Sequence, residues 1–132
     1  MNKRILFSLA AFGFIVSTNA WAHHSFPATY MVSEEIEIEG TLVAFMFRNP
    51  HAFVHVNVKD ENGEVTRYAV EWGGASALGR QGVTRATFKA GDAVRIWGNP
   101  GRNPEDHRLR MQRIERTADG YRWGFKEDEV FD

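Results

Sequence analysis

The order of elements in this 132-residue chain predicts an all-β domain with one short helix. Three observations carry that prediction. Apolar and polar residues alternate with a period of two from Glu34 onward. Glycine, proline, asparagine and aspartate cluster between the alternating runs, where turns are needed. One stretch, from Ala75 to Gln81, loses the alternation and is bounded by Gly73-Gly74 and Gly82, which reads as a short helix with a glycine stop.

Taken in order, the chain begins with the three parts of a secretory leader: Lys3 and Arg4, an apolar run from Ile5 to Val16, and Ala20-Trp21-Ala22 as a small-x-small cleavage site. Residues 1–22 are therefore expected to be removed on export, leaving one domain, residues 23–132, in the periplasm or outside the cell. Ser25 to Ser33 contains Pro27 and has no clear period. Ile36 and Ile38 then alternate with Glu37 and Glu39 as in a half-buried strand. Gly40 interrupts, and the pattern shifts toward Val43, Phe45 and Phe47, as at a bulge or sharp bend.

Arg48-Asn49-Pro50 reads as a turn. The second strand sets Val54, Val56 and Val58 against Phe53, His55 and Asn57. Asp60-Glu61-Asn62-Gly63 is a hairpin connection, and the third strand, Val65 to Trp72, places Tyr68, Val70 and Trp72 on one side. After the helix, which Ser76 is placed to cap, Lys89-Ala90-Gly91-Asp92 turns into a fourth strand, Val94 to Trp97. Asn99 to Asp106 reads as a polar loop, and a fifth strand runs from His107 through Leu109, Met111 and Ile114. Glu127 to Asp132 reads as a mobile acidic end. Three strands, a helix and two strands is the order of an OB-fold, a small five-stranded barrel. A β-sandwich with the helix as decoration is the alternative.

Composition limits the function. Of 16 basic residues only Lys3 and Arg4 fall in the leader, so the exported domain carries 14 basic against 17 acidic residues, a formal charge of −3. That lacks the basic footprint of a nucleic-acid binder. No apolar run after the leader is long enough to span a bilayer. There is no cysteine, which excludes disulfides and thiolate ligands. Neither a G-x-S-x-G elbow, a P-loop nor an H-E-x-x-H pair occurs, so the sequence offers no hydrolytic signature. Glu37 and Glu71, on alternating strands, read as a solvated face.

Histidines carry the remaining chemistry. Cleavage after Ala22 gives a chain starting His23-His24-Ser25-Phe26, whose free amine and imidazole suit copper, with Cu(II) the tightest divalent ion for such donors. Proline stiffens the Asn49-Pro50-His51 turn and places His51 at a strand entrance. The His23 amine, the His23 ring and the His51 ring define a histidine brace, with His24 as alternative third ligand. His55 lies about 13 Å along the strand from His51, too far to share one ion, and is expected on an exposed face or as a group supporting the ligands from behind. His107 is expected to face solvent. Met46 and Met111 fall in strand patterns and read as packing residues. Phe45, Phe47, Trp72 and Trp97 read as core or, if one is exposed, as a stacking platform.

The blocks Ala22-His23-His24-Ser25-Phe26, Asn49-Pro50-His51, Asp60-Glu61-Asn62-Gly63, Lys89-Ala90-Gly91-Asp92 and Gly98-Asn99-Pro100 resemble the small exported bacterial proteins of domain-of-unknown-function family 6152. The resemblance implies a secreted or periplasmic single domain and gives weight to His23, His24 and His51 without assigning their task. The chain departs from it at Met31, where an acidic residue is usual, and at Val83, where tryptophan is common. Two functions are expected from these readings. One is a periplasmic copper carrier or chaperone using His23, His24 and His51, with oxidative copper chemistry as its enzymatic variant. The other is a metal-free binding module of the cell envelope that takes a peptide, glycan or partner protein on the barrel's open face.

Overall fold

A computed structural model describes residues 26–131. The expected leader, residues 1–22, and His23 and His24 lie outside the described residues. The strands are β1 (Ile36–Met46), β2 (Phe53–Lys59), β3 (Val65–Glu71), β4 (Ala93–Pro100), β5 (Arg108–Arg116) and β6 (Tyr121–Trp123), with one helix, α1 (Ala75–Arg80), between β3 and β4. The sheet order is β3-β2-β1-β4-β5-β6, and a parallel β3–β5 pairing closes the first five strands into a barrel. All other pairings are antiparallel. This is the OB-like barrel that the element order predicts.

β1 is long because it serves two neighbours. Its first half pairs with β4, from Ile36 opposite Gly98 to Thr41 opposite Ala93, and its second half pairs with β2, from Thr41 opposite Asn57 to Met46 opposite Phe53. Gly40 sits at the handover, where a Cβ would run into the Asn57 carbonyl. The register slips between Leu42 and Ala44, so the bend at glycine and the bulge that follows together produce the shifted alternation. Ile38 and Leu42 point inward with Val54, Val56, Val70, Val94, Ile96, Leu109, Met111 and Ile114, and Trp72 and Trp123 fill the barrel end under α1. Each of these side chains is almost fully removed from water, and at about 25 cal/mol per Å² of apolar area this burial is the main force closing the barrel.

Loop details follow from satisfying backbone groups. The Asp60 carboxylate accepts from the amides of Asn62 (2.8 Å) and Glu64 (2.9 Å), and Gly63 takes the positive φ of 82° that the hairpin requires. α1 is capped from outside rather than by Ser76. Gly74 occupies the N-cap without a side-chain bond, and the Asn49 amide oxygen accepts from Ser76 N at 3.1 Å. That contact ties the β1–β2 turn to the helix.

Three expectations need correction or addition. Asn99 and Pro100 belong to β4, not to the polar loop, because Asn99 is buried and its amide donates to the Glu34 carbonyl (2.7 Å) while accepting from Gln112 (2.8 Å). β6, with buried Trp123, has no counterpart in the sequence reading; Trp123 Nε1 donates to the Gln81 amide at 3.1 Å. The described part of the acidic end is held against the barrel. Phe131 is buried, the Val130 carbonyl accepts from Gln81 (2.9 Å), and Glu129 accepts from three successive amides, Gly124 to Lys126. Glu127 and Asp128 face outward while Glu129 and Phe131 turn inward, which charge alone does not reveal.

Candidate functional site

Alternation along β2 and β3 sends Val54, Val56 and Val70 into the barrel and leaves Phe53, His55, Asn57, Arg67, Ala69 and Glu71 on the outer wall. The register pairs Phe53 with Glu71, His55 with Ala69 and Asn57 with Arg67. Across the closing seam, Ala69 stands beside Arg108 and Glu71 beside Arg110. Outside the barrel, therefore, a row of polar groups crosses β2, β3 and β5.

At the upper end of this wall lies a cluster centred on Glu71. The expectation of a solvated carboxylate is overturned here: Glu71 is only 7% exposed, whereas Glu37 stays in solvent and pairs with Arg95. The N-terminal segment covers Glu71. A single helical turn at residues 26–29 leads to Tyr30, which is bound between the β4 end and the β4–β5 loop through Met31 N to the Pro100 carbonyl (2.9 Å) and Arg102 N to the Thr29 carbonyl (2.9 Å). The Tyr30 hydroxyl donates to Glu71 Oε2, Arg108 donates to the same oxygen at 3.1 Å, and His51 Nδ1 lies 2.6 Å from Oε1. A buried carboxylate is tolerated when every oxygen is engaged in this way. Burial, with the Glu71 hydrogen bond and charge, pushes the Tyr30 phenol well above its ordinary value, so it remains a donor.

His51 thus has one nitrogen committed. With Nδ1 turned toward Glu71, Nε2 is the nitrogen left for outside chemistry. Its ring packs against Phe26 (centroids 5.6 Å) and Phe131 (5.9 Å). The Arg110 guanidinium lies 4.4 Å from both phenyl centroids, a cation against two rings that also meet edge-on at 5.0 Å. The first and last described segments of the domain are therefore clasped together beside His51. Sequence reasoning missed Tyr30, Glu71, Arg108 and Arg110. The available signal was a carboxylate between fully buried Val70 and Trp72 at a strand end, but the covering segment has no period to announce it.

Lower on the same wall, His55 sits between Ala44 on β1 and Ala69 on β3, two small neighbours that leave the ring standing above a shallow floor. Arg48 lies over the Phe53 ring at 5.5 Å, and Arg67 Nε donates to Asn57 at 2.7 Å. Desolvation first, then the nearby Arg67 and Arg48 charges, lower the His55 pKa from its ordinary value of 6.5. His107 is exposed as expected, in a left-handed conformation (φ 46°) with its ring edge-on to Tyr68 at 5.5 Å. It borders a cavity of about 280 Å³ at the barrel end, together with Met31, Ile36, Tyr68 and Arg108. Met111 is in the core, and Met46 lies on the outer wall opposite Phe53.

The four aromatics read as one cluster separate into two. Phe45 contacts Phe47, Trp72 and Phe88, whereas Trp97 packs with Phe125 and Arg113 on another wall. Among the described residues, no group of three or more His, Asp or Glu side chains could hold a metal ion. No helix among them is long and apolar enough to cross a membrane.

Fold and site together define a small OB-like barrel with an ordered polar wall across β2, β3 and β5. The chain belongs to DUF6152, a family of unknown function whose model matches residues 13–110. No curated protein and no solved structure matches it.

Proposed function

We propose that this chain is a binding module of the cell envelope that takes its ligand on the outer face of β2 and β3, bordered by the β1–β2 and β4–β5 loops. OB-like barrels use this face and these loops for ligands, but that analogy supplies only the place. The observation that carries the reading is the wall itself: Phe53, His55 and Asn57 in a row, a shallow floor at Ala44 and Ala69, and Arg48 and Arg67 at its two ends. Such a surface combines an aromatic ring, neutral hydrogen-bonding groups and cations, which suits a glycan, a peptide or a partner protein. Amide NMR of the exported domain with defined envelope oligosaccharides and peptides tests it. Perturbations centred on residues 53–57 and 67–69 support the reading, and perturbations confined to the β4–β6 side refute it.

Copper binding at His23, His24 and His51 is the second reading, and one observation favours it. Glu71 holds His51 by Nδ1, the carboxylate–histidine arrangement that orients metal ligands. Phe26 touches the His51 ring, and three residues of chain reach about 10 Å, enough for residue 23 to approach Nε2. Cu(II) titration of the exported domain, read by electron paramagnetic resonance, decides it. A tight site with nitrogen hyperfine structure that is lost in His51→Ala supports the brace; weak binding indifferent to that change excludes it.

A further inference from the structure

Charges on this barrel are distributed unequally. On the β1–β4–β5–β6 side Arg95 is paired with Glu37 and Glu39, Arg113 with Glu35, Arg122 with Glu115, and Arg116 with Asp92 and Asp119, while Arg110 of β5 has no such partner among the described residues and lies against Phe26 and Phe131. On the β2–β3 side no arginine is paired in this way. Among the described residues, Arg48, Arg67 and Arg85 have no carboxylate within ion-pair distance; Arg48 lies over Phe53, Arg85 over Phe47, and Arg67 is held by the neutral Asn57. The acidic groups of this hairpin stand at its tip, Asp60, Glu61 and Glu64, and Asp60 is occupied by backbone amides. Glu71 is occupied by His51, Tyr30 and Arg108. A chain with acidic residues in excess thus leaves Arg48 and Arg67 unpaired on a wall that also presents aromatic and imidazole rings.

Resting on the binding-module reading above, we infer that the β2–β3 wall binds an anionic glycan, with Arg48 and Arg67 each receiving a carboxylate or phosphate group and Phe53 and His55 lying under the sugar rings between them. Guanidinium forks match carboxylate and phosphate oxygens in paired hydrogen bonds. The β2 residues that the two arginines contact, Phe53 for Arg48 and Asn57 for Arg67, are four residues and about 13 Å apart along the strand, so the ligand is an oligomer rather than a single ion. The rings of Phe53 and His55 lie between the two cations on the strand face rather than along a strand edge, a surface that suits sugar rings better than an extended acidic peptide, which would add to an edge.

The test uses the exported domain with tetragalacturonate, and with maltotetraose, polyglutamate and inorganic phosphate as comparison probes, by calorimetry and amide NMR. Tetragalacturonate is expected to bind best, to perturb residues 53–57 and 67, and to weaken as salt is raised. The Arg48→Gln/Arg67→Gln variant is expected to lose at least tenfold in affinity, while Arg95→Gln on the opposite side changes it less than twofold. Unchanged melting temperatures keep these variants interpretable. Maltotetraose bound equally well on the same residues overturns the anionic ligand and leaves the binding face standing. Polyglutamate binding as tightly on those residues overturns the glycan in favour of an acidic peptide. Equal loss in Arg95→Gln reduces the effect to overall charge and overturns the inference, and no perturbation of the wall by any probe overturns the inference and the binding face together.

Discussion

Replacing Glu71 by glutamine removes one charge and almost no volume, so it isolates the network that anchors the N-terminal segment to the barrel. The carboxylate accepts from Tyr30 and Arg108 and lies 2.6 Å from His51 Nδ1 while only 7% exposed. Glutamine retains one acceptor oxygen and turns its NH2 group toward a donor, so one or two bonds are lost outright. Hydrogen bonds to a charged group contribute about 1.5–3 kcal/mol each, and breaking a buried ion pair costs about 3–5 kcal/mol. Arg108 is more than one-third exposed, and its share is screened by solvent. The expected loss is therefore about 3 kcal/mol, or a fall of about 12–24 °C in melting temperature for a domain of roughly 100 residues. Urea unfolding followed by tryptophan fluorescence measures it, with Tyr30→Phe expected to lose a smaller amount, about 1–2 kcal/mol. A Glu71→Gln loss below about 0.5 kcal/mol refutes the reasoning, since it means that the carboxylate is not holding these groups.

Further outcomes follow from other parts of the structure. Gly40→Ala places a methyl group against the Asn57 carbonyl where β1 changes partners and is expected to cost about 1–3 kcal/mol, whereas Gly79→Ala, whose Cβ meets nothing within 4 Å, is expected to be neutral or stabilising by urea midpoint. The His55 pKa, measured by NMR, is expected below 6.5 because desolvation and the two arginines oppose its charge. The unfolded chain then binds the proton more readily, so stability should rise with pH from the folded-state value up to 6.5, a slope that His55→Gln flattens. Asp119, held down from 3.8 to about 2 chiefly by its hydrogen bond from Arg116, contributes stability above pH 3.8 that disappears as pH falls through about 2, and Asp119→Asn should weaken that part of the acid transition. Removing residues 131–132 takes Phe131 from Arg110 and His51, and hydrogen exchange should then rise in residues 26–30.

The barrel was legible because its core obeys the period of two. Val54, Val56, Val70, Ile96, Leu109 and Met111 all face inward where alternation places them, and Asp60–Gly63 forms the hairpin that its composition specifies. β4 was read short because Asn99 and Pro100 are poor strand residues. Asn99 is kept in the strand by the Glu34 carbonyl and the Gln112 amide, long-range partners that no local pattern contains. Glu71 was misread for the same reason: alternation puts it outside the barrel, and only the tertiary return of Tyr30, 41 residues earlier, covers it. His51 was singled out from its stiff turn, but the partner that orients it was invisible. Arg48, Phe53, His55 and Arg67 become one surface only when register sets β2 beside β3.

An amide chemical-shift map of residues 23–132 titrated with tetragalacturonate tests the binding face. Saturable shifts are expected on Phe53 to Asn57, Arg67 and Ala69, with the β4–β6 side undisturbed. Shifts confined to the β4–β6 side would contradict the binding face, because they would place the ligand away from Arg48 and Arg67.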